Sequence, residues 1–455
     1  MAWPPRGLLV TAPFAIFLGC AAPPLEYPEG STALVGVDVA WMGDDQLLPD
    51  RRIVLHAGRI LDVLGPDDGA LSDDVAVLAT GGYVMPGLAD LHVHAWFESD
   101  LTLFVANGVT TVRNLFGDPL QRDWRDEIAA GERFGPTIIT AGPIIDGSPP
   151  IWNGSDVADN AAEGAAFVDA QIDAGYDLVK VYNRLGEPAW RGVLDEAAAR
   201  GVPAVGHVPF SVSYSDVAAS SQGTIEHLDG LLEELAGFAW WDPLSEQEVR
   251  AALAAVPPTA LPGLADVLTA NSTWNVPTLV VLSSIRIGAA DLDARLAAPE
   301  LAYVHPQYRA SWQATVAATP DEMAAWAALM EGWMGWVRAL HDAGAGIALG
   351  TDCGNAFVIA GYSVHEELNL LVQSGLTPYE ALRAGTAGAA QAAGRADDFG
   401  QVVAGQRADL LWLQDNPLDD VSNAREPAAV VLGGRWIPRA ELDSALDDVA
   451  ASYAR

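Results

Sequence analysis

The chain has 455 residues, half of them apolar, which is enough to bury a large core in one barrel-sized unit or two to three smaller domains. A formal charge of −36, from 60 acidic and 24 basic residues, excludes a nucleic-acid or anionic-lipid surface as the protein's working face. Arginine supplies 23 of the 24 basic residues and Lys180 is the only lysine. A GC-rich coding bias accounts for that scarcity but not for where the one lysine falls.

Residues 1–20 read as an export signal, with Arg6 as the only charge, an apolar run from Gly7 to Leu18, and Gly19-Cys20 after it. Phe17-Leu18-Gly19-Cys20 is similar to a bacterial lipobox, although Phe17 and Leu18 are bulky for their places. Two outcomes stay open: acylation of Cys20, or cleavage elsewhere. Either predicts an exported protein of the periplasm or cell envelope, touching a membrane only through its signal or lipid. Residues 21–32 read as a Pro-rich tether. No later stretch is long and apolar enough to span a bilayer.

Residues 33–85 favour short strands and turns. Val35, Val37 and Val39 alternate, and Arg52–Leu55 leads through His56-Ala57-Gly58 to Arg59–Leu61. Val75–Leu78, Ala408–Leu413 and Ala429–Leu432 continue the pattern. Residues 33–85 and 400–440 are therefore expected to form one small β-sandwich domain built from both chain ends. Between them, residues 86–399 alternate apolar strands with helices such as Ala161–Ala174 and Pro188–Arg200. Eight strands are predicted: Leu88–Val93, Val109–Arg113, Thr137–Ala141, Leu178–Tyr182, Pro203–His207, Thr224–His227, Pro277–Leu282 and Ala345–Leu349. The series fits an α/β fold of the TIM (β/α)8 barrel type.

Barrel enzymes carry their catalytic groups at the C-terminal ends of strands. The first strand ends in His92-Val93-His94, whose alternate residues share a face. Lys180 lies on the fourth, His207 ends the fifth, His227 ends the sixth, and Asp352 follows the eighth. Any one of these has an ordinary alternative, such as a structural histidine or a helix cap. Together they mark a metal site in which histidine nitrogens suit zinc or a similar divalent ion. Buried among apolar neighbours, a lysine loses its proton more readily, and its neutral amine can add CO2 to give a carbamate that bridges two ions. Arg113, Tyr182 and Arg184 are candidate substrate contacts, against an ion pair for Arg113 and a surface loop for the other two. Trp152 and Trp274 are candidate pocket linings. Trp326, Trp333 and Trp336 read as helix core, and Cys353 as a packed residue. His56 reads as a turn residue, and His365 lies on a helix or near the pocket mouth.

The motifs Val84-Met85-Pro86-Gly87-Leu88-Ala89-Asp90-Leu91-His92-Val93-His94, Gly108–Arg113, Gly206-His207-Val208-Pro209, Ile225-Glu226-His227, Gly350-Thr351-Asp352, Gly375–Leu382 and Gly405–Leu410 resemble the amidohydrolase superfamily, in its branch of imidazolonepropionases and prolidase-like dipeptidases. The resemblance spans roughly residues 33–435. It implies that His92, His94 and Asp352 bind one metal ion, that His207 and His227 bind a second, and that carboxylated Lys180 bridges them. It further implies that a bridging hydroxide attacks while Asp352 shuttles the proton. Imidazolonepropionase resembles a one-metal variant without the lysine, so Lys180 favours the two-metal relatives. Dipeptidase-like relatives often carry a histidine after strand three, whereas Gly142–Trp152 here has none, which leaves the substrate in question. The expected reaction is hydrolysis of an amide C–N bond in a small molecule, a dipeptide or N-acyl amino acid. The alternatives are a cyclic amide or lactone, and a non-catalytic surface lipoprotein. No oligomeric state follows from the sequence.

Overall fold

The computed structural model describes residues 24–454. Cys20 and the export signal lie outside the described residues. Leu25, within the expected tether, is held to the domain: its N–H donates to the Ala70 carbonyl (2.7 Å) and its carbonyl accepts from Ser72 (3.1 Å).

Strands from both chain ends join in one eight-stranded sheet. Its order is Arg435–Pro438, Ala429–Leu432, Leu410–Leu413, Tyr83–Pro86, Thr32–Ala40, Leu47–His56 and Arg59–Leu64, with Ala76–Thr80 paired to the start of Thr32–Ala40. The predicted turn after His56 is a two-residue hairpin. Ala57 (φ 48°) and Gly58 (φ 78°) both adopt the left-handed backbone that the strand twist demands there. The simple alternation expected at Val35, Val37 and Val39 is broken by a register shift between Val35 and Val37. Gly36 (φ 64°) absorbs the extra residue, so that Leu34, Val37 and Val39 pack inward with Val84, Leu410 and Val431.

The middle of the chain forms two parallel sheets flanked by helices. One holds Leu88–Val93, Val109–Asn114 and Thr137–Thr140. The other runs through Asp156–Val157, Ile145–Asp146, Val179–Val181, Ala204–Gly206, Thr224–Glu226, Trp274–Val276 and Gly346–Ile347. Single parallel bridges, Ala141 to Leu178 and Val93 to Cys353, join the sheets at their edges, so the ladders do not form one continuous closed ring. Apart from Asp156–Val157, which pairs on the outer side of Ile145–Asp146, the strand order is sequential, as in a β/α barrel.

The seventh strand is displaced from its predicted place. Trp274–Val276 pairs with Thr224–Glu226 and Gly346–Ile347, whereas the apolar run assigned to the strand enters the helix Leu279–Ile285. A short, wholly apolar run suits a buried helix as well as a buried strand. A remote group favours the helix here: the buried Glu367 carboxylate accepts the N–H groups of Leu279 (3.0 Å) and Val280 (2.7 Å). No single helix among the described residues is long and apolar enough to cross a membrane.

Candidate metal centre

His92, His94, Lys180, His207, His227 and Asp352 come together at the C-terminal ends of the parallel strands. His92 is fully buried, and its Nε2 lies 3.1 Å from Lys180 Nζ and 3.4 Å from Asp352 Oδ1. His94 Nε2 is 3.0 Å and His227 Nε2 3.9 Å from the Asp352 carboxylate. The His207 ring centroid is 4.8 Å from that of His227, which is 4.7 Å from that of His92. One nitrogen from each of His92 and His227 and one Asp352 oxygen lie within 4.8 Å of one another.

The backbone makes this convergence. Neighbouring strand residues point to opposite faces, yet Glu226 and His227 both address the centre. They can do so because the strand ends at Glu226 and His227 takes φ 61°. Asp352 (φ 61°) turns back similarly, its N–H donating to the His92 carbonyl at 2.7 Å. Left-handed non-glycine residues cost about 1–3 kcal/mol each, and they persist where surrounding contacts fix them. Gly206 and Gly350 leave the necessary room. A Cβ at Gly206 (φ 133°) would meet the Val181 carbonyl oxygen at 2.3 Å, and one at Gly350 would meet His92 Cβ at 2.9 Å.

Hydrogen bonds fix which imidazole nitrogen is free. Thr278 Oγ1 donates its one proton to the Pro277 carbonyl (2.8 Å), so at 2.6 Å from His227 Nδ1 it accepts. Asn183 spends its amide protons on Asp229 (2.6 Å) and Val208, which leaves Oδ1 to accept from His207 Nδ1 at 2.8 Å. Glu226, ion-paired to Arg113 at 2.9 Å, accepts from His92 Nδ1 at 2.8 Å. All three imidazoles are therefore held as Nδ1–H tautomers with the Nε2 lone pair available, the second-layer arrangement typical of metal ligands. Burial lowers the pKa of His227 to about 3 and those of His92 and His207 well below the usual range, keeping the rings neutral.

Three buried atoms of the cluster, His94 Nδ1, His207 Nε2 and Asp352 Oδ1, have no hydrogen-bond partner. Such orphans are rare in a packed interior, and here they belong to a donor set that fits a divalent metal. Burial pushes Lys180 down to about 8, against the opposing pull of Asp352 and Glu226. Burial works to raise Asp352, but His94, His227 and Lys180 outweigh it and hold the carboxyl below its ordinary value.

The substrate candidates fall elsewhere. Arg113 is 2% exposed, with Nε on the Leu91 carbonyl (2.7 Å) and Nη2 on Glu226. It acts on the centre through Glu226 and His92, without access to solvent. The Tyr182 ring contacts that of His207 in a tilted arrangement, centroids 4.0 Å apart, and its hydroxyl accepts from Trp152 Nε1 at 2.7 Å. Arg184 is exposed, donates to the Pro149 carbonyl at 2.8 Å, and has no carboxylate partner among the described residues. Trp274 packs against Gly346 on the neighbouring strand, away from the strand ends that carry the ligands. Trp326, Trp333, Trp336 and Cys353 are buried, and His365 sits in the core on its helix, bonded to the Asn107 carbonyl at 2.9 Å.

Sequence reading assigned no role to Glu226, Asn183, Thr278 or Asp90, whose carboxylate accepts from His92 and Thr351 and ties the first strand to the eighth. Glu226 and Arg113 had a signal, as opposite charges on two otherwise apolar strands. Asn183 and Thr278 had none.

Neutral imidazoles, a buried amine and a carboxylate at the mouth of a parallel β/α array define a metal-dependent hydrolytic centre. The chain belongs to the amidohydrolase family, which matches residues 83–437, and it is a hydrolase acting on carbon–nitrogen bonds. It is 26% identical over 409 residues to an imidazolonepropionase of Saccharopolyspora erythraea, covering 84% of this chain and 92% of that protein. Among solved structures, bottromycin amidohydrolase is similar with a TM-score of 0.79 at 25% identity, covering 94% of this chain and 91% of its own. A Xaa-Pro dipeptidase with bound methionine shares the fold at a TM-score of 0.63 and 18% identity, covering 90% and 100%.

Proposed function

We propose that the protein is a two-metal amidohydrolase on a TIM-type barrel, cleaving the C–N bond of a dipeptide or N-acyl amino acid. The observation that carries the two-metal reading is the placement of the only lysine, buried, with Nζ 3.1 Å from the Nε2 of His92. A protonated ammonium there would compete with cations, whereas a carbamate formed with CO2 turns the position into an anionic ligand. In this reading His92, His94 and Asp352 hold one ion, His207 and His227 the other, and Lys180 both. The histidine-rich set suits zinc. When bound, the ions supply Lewis acidity that polarises the scissile carbonyl and acidifies water. Asp352 takes the proton of the attacking water and returns it to the leaving amine. Arg184, exposed and without a carboxylate partner among the described residues, is a group able to pair with a substrate carboxylate. The signal-like pattern of residues 1–20 supports a cell-envelope location in this reading, with a lipid anchor if Cys20 is acylated.

The imidazolonepropionase match over 84% of the chain supports a second reading, hydrolysis of a cyclic amide or lactone at the same centre. A screen of zinc-loaded protein against dipeptides, N-acyl amino acids, cyclic amides and lactones separates the two. Turnover of acyclic amides at least about tenfold more efficient than of cyclic ones is expected. Turnover of cyclic substrates alone would replace the first reading with the second. Neither turnover nor metal binding would leave a non-catalytic envelope protein.

A further inference from the structure

Large exposed apolar residues on a soluble surface mark binding sites when they gather at one place. Three aromatics are among those exposed here: Trp152 (50%), Phe210 (60%) and Trp241 (47%). All three lie in connections that follow parallel strands, the third, the fifth and the sixth. Phe210 is three residues beyond His207, and Trp241 meets it edge to face at 5.8 Å. Two of them are pinned to consecutive residues at the end of the lysine-bearing strand. Trp152 donates to the Tyr182 hydroxyl (2.7 Å), and the Phe210 N–H donates to the Asn183 carbonyl (2.7 Å). Tyr182 and Asn183 in turn touch His207, by a tilted ring contact with centroids 4.0 Å apart and by a hydrogen bond at 2.8 Å.

We infer that Trp152, Phe210 and Trp241 form an aromatic rim that receives a bulky apolar acyl group of the substrate, an aromatic one above all, next to the bond that is cleaved. The inference rests on the acyl amino acid reading above. Indole and phenyl faces gain contact area and edge-to-face geometry from an aromatic acyl group, and gain little from an acetyl group.

N-phenylacetylglycine and N-acetylglycine serve as probes, each with wild-type protein and with the double variant Phe210→Ala/Trp241→Ala, whose exposed sites do not hold the fold. Metal content and thermal melting check that the variant is intact. Affinity is read by ligand-observed saturation-transfer titration with zinc-loaded Asp352→Asn protein as background, which reports binding whether or not the amide is cleaved. Binding of the phenylacetyl probe at least about tenfold tighter than the acetyl probe is expected, falling to within about threefold in the double variant. An equal affinity for both probes, or a preference that survives the double variant, overturns the rim. A preference that depends on the rim, with no turnover of either probe by the unmutated active site, keeps the rim and overturns the acyl amino acid reading instead. A wild-type dimer that becomes monomeric in the double variant, with probe affinities unchanged, would assign the aromatics to a subunit interface and overturn the proposal.

Discussion

In the proposed reaction Asp352 holds two duties, as a metal ligand and as a proton carrier. Its carboxylate reaches His94 at 3.0 Å and His227 at 3.9 Å, yet Oδ1 has no hydrogen-bond donor of its own. Asparagine preserves the shape and one oxygen but cannot carry a proton away from water. Asp352→Asn is therefore expected to retain most of its metal and to lose roughly 10²–10⁴ in kcat. Metal analysis beside steady-state kinetics checks this, and unchanged turnover would exclude Asp352 as the proton carrier. The candidate ligands were legible in the sequence because each lies on, or within a few residues after, a strand whose apolar run announces it. The groups that aim them were less so: Glu226 bonds to His92 across 134 residues, and Thr278 to His227 across 51. Such pairings are made by the fold and leave no local pattern. Arg113 shows the same limit, since a strand-end arginine looks alike whether it meets substrate or a buried glutamate.

At the scale of elements, the helix Leu279–Ile285 explains why one strand of eight was misplaced. Its first turn, Leu279–Leu282, is wholly apolar, and the decision is made by Glu367 on the helix Tyr362–Gln373, which caps its first N–H groups. The same cap fixes Thr278, and through it His227. Glu367→Ala leaves two buried donors unpaired and is expected to cost on the order of 3 kcal/mol. The cost depends on pH. Burial raises the Glu367 carboxyl from 4.5 to about 8, so its folded form holds the proton more tightly than its unfolded form. That contribution is complete below about 4.5 and is lost as the pH rises through about 8. The Tm gap between wild type and Glu367→Ala, measured by calorimetry on metal-free protein, should narrow from pH ~5 to pH ~9. A gap that widens over that interval would contradict the placement of this carboxyl.

The whole molecule sets a charge of −36 around a candidate cation site. Self-repulsion of that magnitude opposes the compact state and is screened by salt, because the Debye length falls from roughly 30 Å at 0.01 M to about 3 Å at 1 M. Tm is expected to rise by several degrees from low salt to about 0.5 M NaCl, and a fall would show that specific ion pairs outweigh the repulsion. At this scale the sequence was most informative. Strands from both ends do meet in one sheet, through Tyr83–Pro86 and Leu410–Leu413, and the middle does form parallel β/α units in chain order. The register shift at Gly36 and the bridges between the two parallel sheets depend on long-range geometry that a run of valines does not specify.

The central claim is that the only lysine makes a two-metal site. Elemental analysis of wild type and Lys180→Ala, purified and loaded with zinc alike, tests it most directly. About two ions per chain are expected in the wild type and no more than one in the variant, with activity lost. One ion in both proteins, or two in both, would contradict a lysine-bridged centre.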